Sequence, residues 1–178
     1  MGTIKIHDKN FKKSISEEEI LKRVEAIARE IEKDCKYQNP LFLPVLNGSF
    51  MFTSDLMKEI TMNCELQFVK VKSYTGMHST EKVQTLIGAD MSVSGRTVII
   101  IEDIVDTGGT IKELVNQLQQ FNPNDIKICS LLFKPSKYKG DLKVDYCGFE
   151  IPDDFVIGYG LDYDGLGRNL RQIYTVTE

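Results

Sequence analysis

Residues Thr97–Ile101 form an almost entirely β-branched apolar run, and this run constrains the fold more than any other segment. Such runs are typical of strands that are buried on both faces, as in the interior of a parallel sheet. A helix is predicted directly after it, from Thr110 to Phe121, because Ile111, Leu114 and Leu118 share one helical side. A doubly buried strand that leads into a helix predicts an α/β fold.

The rest of the chain alternates predicted strands and helices in the same way. Ser16 and Glu19 form a capping box, which predicts a first helix from Glu17 to Lys33. Leu41–Leu46 is predicted as a strand that is short or peripheral, because Pro44 cannot donate to a sheet ladder. The remaining predicted elements are a helix over Phe50–Ile60 and strands over Glu65–Lys72, Ile126–Phe133, Val144–Phe149, Phe155–Gly160 and Gln172–Val176. The alternation over 178 residues predicts one α/β domain, 1–178, with a mainly parallel twisted sheet and helices on both faces.

Charge and cysteine content exclude several classes of protein. The 22 basic and 26 acidic residues give a net charge of −4, which argues against a partner nucleic acid held by electrostatics. No apolar run approaches the roughly 20 residues that span a bilayer. The four cysteines are scattered and accompany only two histidines, which argues against a zinc site or a disulfide framework. We expect a cytoplasmic protein with no membrane or nucleic-acid partner.

The segment after the buried run carries the chemistry. The predicted strand ends in Glu102 and Asp103, and the loop Asp106–Thr110 leads into the predicted helix. Its two glycines allow a tight turn, its threonines add hydroxyl donors, and the helix N-terminus adds positive potential, so the loop suits a phosphate monoester. It contains neither a Walker A lysine nor a dinucleotide-binding glycine pattern. The paired carboxylates suit vicinal sugar hydroxyls or a hydrated Mg²⁺.

The thirteen residues Val98–Thr110 resemble the phosphoribosyl-diphosphate motif of type I phosphoribosyltransferases. The segments that resemble the hypoxanthine-guanine phosphoribosyltransferase family in particular are Leu46–Ser49, Lys72–Tyr74, Leu132–Lys134, Phe149–Asp153, Phe155–Tyr163 and Arg168. The resemblance implies the type I phosphoribosyltransferase fold, with a small hood built largely from about 135–178 and possibly the N-terminus. It also implies transfer of the 5-phosphoribosyl group from 5-phosphoribosyl 1-diphosphate to hypoxanthine or guanine, with Mg²⁺, in purine salvage.

The resemblance gives each matching residue a role. Asp106 is the acid/base near purine N7. The phosphoribosyl group and its phosphate are expected at Glu102, Asp103, Thr107, Gly108, Gly109 and Thr110, and the diphosphate at Asn47, Gly48 and Arg168. The purine is expected at Lys134, which would donate to the 6-oxygen, and at Phe155, Val156 and Asp162. Mg²⁺ is expected at Asp162, Glu102 and Asp103, and a mobile lid at Ser73 and Tyr74.

The predicted diphosphate loop departs from the family pattern at one position. Many relatives carry Lys or Arg where this chain has Asn47, so a side-chain charge contact with diphosphate is lost. The resemblance also implies a cis peptide bond between Leu46 and Asn47. Gly109 replaces a larger residue that is common in relatives, with no expected consequence.

Two other functions remain open at this point. One is a regulator with the same fold that binds RNA, although the chain has no run of basic residues to favour it. The other is a xanthine-preferring enzyme of the same family, since the purine 2-position is expected to face mostly backbone. The family also implies a homodimer or homotetramer.

Overall fold

The computed structural model describes residues 2–36, 38–71 and 93–177. In chain order the elements are β1 (Thr3–Ile6), β2 (Lys9–Ile15), α1 (Glu17–Cys35), β3 (Leu41–Leu46), α2 (Phe50–Glu59), β4 (Glu65–Leu66), β5 (Val69–Lys70), β6 (Thr97–Val105), α3 (Gly109–Gln119), β7 (Asp125–Phe133), β8 (Tyr146–Glu150), β9 (Val156–Ile157) and β10 (Ile173–Thr177).

A parallel sheet with the strand order β4-β3-β6-β7-β8 forms the centre of the molecule, and β5 continues the pairing of β4 along β3. Strand β6 has partners on both sides, and Val98–Ile101 are fully buried, as the β-branched run predicts. The predicted α/β class and the mainly parallel sheet are confirmed.

The two faces of the sheet bury separate hydrophobic cores. Ile99 and Ile101 point to the face that is covered by α1 and α2, whereas Val98 and Ile100 point to the face that is covered by α3. This alternation is the period-two pattern of a strand that is covered on both sides. The capping box at the start of α1 is present, since the Glu19 amide donates to Ser16 Oγ and the Ser16 amide donates to Glu19 Oε2.

A second, antiparallel sheet joins the two ends of the chain, with the order β1-β2-β10-β9. Its hairpin β1-β2 was not among the predicted strands, because β2 has the largely polar sequence KNFKKSI and fully buries only Phe11. Within 135–178, which the resemblance gives to the hood, β8 belongs to the central sheet, and β9 and β10 belong to this second sheet.

The prediction that Leu41–Leu46 is short or peripheral is wrong. Strand β3 spans all six residues and lies between β6 on one side and β4 and β5 on the other. The Gln67 amide donates to the Phe42 carbonyl, so Pro44, two residues further on, faces the same side. The pairing passes from β4 to β5 there, so the missing Pro44 amide falls at a break in the ladder.

Two predicted strand ends are also corrected. Strand β6 continues through Glu102 and Asp103 to Val105, because β7 extends alongside it and keeps the ladder paired. Strand β9 contains only Val156 and Ile157, because the three residues that follow have positive φ angles. Among the helices that the structure describes, none combines the length and the apolar character needed to cross a bilayer.

Candidate active site

The carboxyl ends of β3 and β6 meet at one edge of the sheet and form a cavity of about 250 Å³. Ligands of open α/β sheets bind at such edges. Asp106, the expected acid/base, lines this one cavity together with eight residues that the resemblance assigns to the sugar and diphosphate, namely Asn47, Gly48, Glu102, Asp103, Thr107, Gly108, Gly109 and Thr110. The structure therefore brings together residues from two segments that are more than 50 positions apart.

The loop from Asp106 to Thr110 ends at the N-terminus of α3. Gly108 is the N-cap residue with φ +87°, which favours glycine, and a Cβ there would overlap the ring of Tyr138. With glycine at this position no side chain caps the helix, and the first residues of α3, whose amides have no intrahelical partner, line the cavity. This geometry suits a phosphate, as the sequence predicts.

Glu102, which is buried, and Asp103, which is half-buried, both line the cavity. Burial, together with the neighbouring Asp103 charge, raises the pKa of Glu102 well above its usual range. Burial raises the pKa of Asp103 to about 6, although hydrogen bonds from the Ile104 and Asp103 amides and the charge of Arg168 oppose the shift. Groups of this kind gain from a cation or from hydroxyl donors beside them.

The loop after β3 packs directly on Asp103. The peptide bond between Leu46 and Asn47 is cis, as the resemblance implies. A Cβ on Gly48 would overlap Asp103 Oδ2, and a Cβ on Gly160 would overlap the Gly48 carbonyl oxygen. Gly48 is thus held between Asp103 and the chain at Gly160, and glycine is needed at both positions for this close approach.

Arg168 and Asp162 form an ion pair next to Gly160, which packs on Gly48. Arg168 Nη2 lies 2.7 Å from Asp162 Oδ1, and Arg168 Nη1 donates to the Gly160 carbonyl at 2.7 Å. The other oxygen of Asp162 accepts the Gly165 amide at 2.8 Å. Both predicted residues therefore lie near the predicted diphosphate loop, with the Asp162 carboxylate held by Arg168 and by the turn at Gly165.

Asp106 belongs to a cluster of four charged side chains. Lys134 Nζ lies 3.7 Å from Asp106 Oδ2 and 3.2 Å from Asp153 Oδ1. Lys137 Nζ lies 3.2 Å from Asp106 Oδ2 and 3.1 Å from Asp153 Oδ1. Asp106 Oδ1 is buried and has no hydrogen-bond partner among the described residues, so one oxygen of the predicted acid/base is free to accept a proton.

Sequence reasoning missed Lys137 and Asp153 as members of this cluster. Hydrogen bonds from Lys137 and then Lys134 lower the pKa of Asp153, and the hydrogen bonds to Asp153 and Asp106 raise the pKa of Lys137. The spacing Lys134-x-x-Lys137 was available in the sequence, but only the turn after β7 shows that both ammonium groups point to the same carboxylates.

Phe155 is exposed enough to stack on a ligand. The residue is 42% exposed, and its ring has Tyr163 at 5.6 Å in a T-shaped arrangement and the buried Phe11 at 6.3 Å. The Lys9 ammonium lies 5.6 Å from the centre of the Phe155 ring. Val156 follows as a buried residue of β9. The contacts from Phe11 and Lys9 could not be found from the sequence, because the hairpin that carries them was not predicted.

The two predicted lid residues, Ser73 and Tyr74, lie outside the described residues.

Comparison with known proteins gives one family. Residues 13–164 match the phosphoribosyl transferase domain family. The chain is 44% identical to a hypoxanthine-guanine phosphoribosyltransferase of Bacillus subtilis over 160 residues, which are 89% of each chain. It is 37% identical to that of Aquifex aeolicus over 175 residues, which are 97% of this chain and 98% of the relative. A crystal structure of a hypoxanthine-guanine phosphoribosyltransferase from Bacillus anthracis, 37% identical, has a TM-score of 0.87 and covers 93% of this chain and 98% of its own.

Proposed function

This chain belongs to the phosphoribosyltransferase family, and we propose that it transfers the 5-phosphoribosyl group of 5-phosphoribosyl 1-diphosphate to hypoxanthine or guanine. The products are IMP or GMP and diphosphate. The observation that carries the proposal is the single cavity in which the helix N-terminus of α3, the paired acids of β6 and the loop after β3 meet, with Asp106 at its rim.

In this proposal the residues at the cavity hold the sugar diphosphate at three points. The loop Thr107–Thr110 would bind the 5′-phosphate through backbone amides and hydroxyl groups. Glu102 and Asp103 would accept the ribose hydroxyls, and the backbone of Asn47 and Gly48 would donate to the diphosphate. Arg168 would meet the diphosphate with its guanidinium fork.

The donor set fits Mg²⁺, which we propose as the cofactor. Glu102 and Asp103 have raised pKa values and gain from a nearby dication, and the charge of Asp162 acts on Asp103. Within the described ranges no three acidic, histidine or cysteine side chains are arranged to hold a metal by themselves, so in this proposal oxygens of the substrate would supply further ligands. The chemistry that Mg²⁺ supplies when bound is neutralisation of charge on the leaving diphosphate.

Asp106 would act as the general base. The purine N9 forms a bond to C1 of the ribose while the bond from C1 to the diphosphate oxygen breaks, and that electron pair leaves with the diphosphate. The proton on N7 passes to Asp106, whose unpartnered Oδ1 is available to receive it. Holding a base carboxylate in a fixed position beside the reacting purine supplies part of the rate enhancement.

Lys134 would select 6-oxopurines. Its side chain is only 7% exposed, and its ammonium group can donate but cannot accept a hydrogen bond. The 6-oxygen of hypoxanthine or guanine accepts from it, whereas the 6-amino group of adenine presents donors to a cation. Phe155 would stack on the purine ring, and the backbone of Val156 would contact the ring edge.

The test is product formation with Mg²⁺ and 5-phosphoribosyl 1-diphosphate, with hypoxanthine, guanine, xanthine and adenine offered separately. We expect turnover of hypoxanthine and guanine and none of adenine. Turnover of xanthine alone would replace the proposal by the xanthine-preferring alternative. A folded protein that binds the sugar diphosphate and turns over no base would contradict an enzymatic role. The homodimer or homotetramer that the family implies stays a prediction, which sedimentation of the purified chain would test.

A further inference from the structure

The turn after β7 places a second ammonium group beside the first. The amides of Lys137 and Tyr138 both donate to the Lys134 carbonyl at 3.1 Å, which folds the chain back after Lys134. The Tyr138 hydroxyl donates to the Leu142 carbonyl at 2.6 Å, and its ring packs on Phe133 at 5.3 Å. The position of Lys137 is therefore fixed by the fold.

Lys134 faces two competing demands in the proposed reaction. Its ammonium must donate to the purine 6-oxygen, yet the carboxylates of Asp106 and Asp153 both lie within 4 Å of it. Lys137 contacts the same oxygen of each carboxylate and lies closer than Lys134 does to Asp106, at 3.2 Å against 3.7 Å. The four side chains together balance two positive and two negative charges.

We propose that Lys137 is a positioning residue that holds Asp106 and Asp153, so that the Lys134 ammonium stays available to the purine 6-oxygen. The inference rests on the proposed function, because the contact with the 6-oxygen belongs to it. Lys137 also fixes Oδ2 of Asp106, which leaves Oδ1 to take the purine proton. A lysine ammonium has three N–H donors, so Lys137 can serve both carboxylates at once.

Loss of the Lys137 charge changes two kinetic quantities in this account. The carboxylates of Asp106 and Asp153 then both pair with the buried Lys134 ammonium. This pairing weakens its hydrogen bond to the 6-oxygen and raises KM for the purine. Asp106 loses the hydrogen bond that orients it, which lowers kcat. KM for 5-phosphoribosyl 1-diphosphate stays the same, because the loop Thr107–Thr110 and the Gly48 backbone are untouched.

The first experiment compares Lys137→Met with Lys137→Arg and with the control Lys139→Met, which removes an exposed lysine two residues further on. For Lys137→Met we expect about a 10-fold rise in KM for hypoxanthine and about a 10-fold fall in kcat, the scale of a charge-assisted but partly exposed hydrogen bond. Lys137→Arg keeps the charge, so its KM for hypoxanthine and its kcat should stay within about 3-fold of the wild-type values. Lys139→Met should behave as the wild type does.

The second experiment adds Asp153→Asn to Lys137→Met. If Asp153 captures Lys134 when Lys137 is absent, its removal restores KM for hypoxanthine towards the wild-type value. A merely structural role of Lys137 gives no such rescue, since a second lost contact then adds to the first. Failure of the rescue, or equal rises in KM for both substrates, overturns the inference about Lys137. The proposed function still holds in that case if the wild type turns over hypoxanthine or guanine. A wild type that turns over no base overturns both.

Discussion

Gly48→Ala tests whether the close packing of the two cavity loops matters for catalysis. A Cβ at this position overlaps Asp103 Oδ2, so the carboxylate must move by roughly 2 Å to reach an ordinary van der Waals distance. The Gly48 backbone cannot retreat to the other side, because its carbonyl oxygen lies against Gly160. The added methyl group should therefore displace Asp103, a proposed ligand of ribose and Mg²⁺.

The expected effect follows from the size of that displacement. A misplacement of about 1 Å in a reacting site can cost about 10²-fold in rate, so we expect kcat/KM for 5-phosphoribosyl 1-diphosphate to fall by about 10²-fold or more. Overpacking should lower the free energy of unfolding by about 1–3 kcal/mol. Steady-state kinetics and urea unfolding measure the two quantities.

The matched control is Gly95→Ala. Gly95 has φ +68° and open space around it, so alanine strains the backbone there by about 1 kcal/mol without touching the cavity. We expect it to lower the free energy of unfolding and to leave kcat/KM unchanged. If kcat/KM of Gly48→Ala stays within about 3-fold of the wild-type value, the added methyl group does not misplace Asp103 for catalysis.

Three further predictions concern a base, a purine contact and the stability of the fold. Asp106→Asn should lower kcat by about 10²–10⁴ with little change in KM for the sugar diphosphate, and near-wild-type turnover in steady-state assays would remove Asp106 from the base role. Lys134→Ala should raise KM for hypoxanthine and guanine by about 10-fold or more, and unchanged values would show that another group contacts the 6-oxygen. Glu32 accepts the amides of Thr61 and Met62 and the Thr61 hydroxyl, and the Thr61 amide contributes most to lowering its pKa from 4.5. A carboxylate whose pKa is lower in the folded state stabilises the fold at pH values above its unfolded-state pKa. This stabilisation is lost as the pH falls through the folded-state pKa. Glu32→Gln should therefore lower the free energy of unfolding in urea by about 1 kcal/mol at pH 7 and by less below pH 4.5. The exposed control Glu18→Gln should change it little at either pH. A loss for Glu32→Gln that does not depend on pH would contradict this expectation.

The sequence was sufficient for the central sheet because its strands carry a strong periodic pattern. The apolar run of β6 and the amphipathic helices on either side leave few alternatives, and the predicted α1 and β3 agree with the structure within two residues at each end. The hairpin β1-β2 has no such pattern, because its strands expose most of their side chains. Its place in the fold comes from its pairing with β10 and from its contacts with Phe155 and Tyr163.

The residues of the site also divide into those that a local sequence pattern identifies and those whose roles depend on the tertiary fold. The residues of one continuous motif, from Glu102 to Thr110, lie together as local spacing implies. Lys137 and Asp153 could not be assigned, since their roles depend on a turn and on the parallel neighbours β7 and β8 rather than on local pattern. The interior position of β3 could not be predicted for a similar reason. Pro44 is tolerated because its partner strand is interrupted there, and this interruption is a property of the sheet rather than of β3 alone.

A crystal structure of the protein with GMP bound would show whether the cavity is the nucleotide site. We expect the 5′-phosphate to lie on the loop Thr107–Thr110, purine N7 to face Asp106, and the 6-oxygen to accept a hydrogen bond from Lys134. A nucleotide bound away from the cavity, or one whose 6-oxygen has no contact with Lys134, would contradict these expectations.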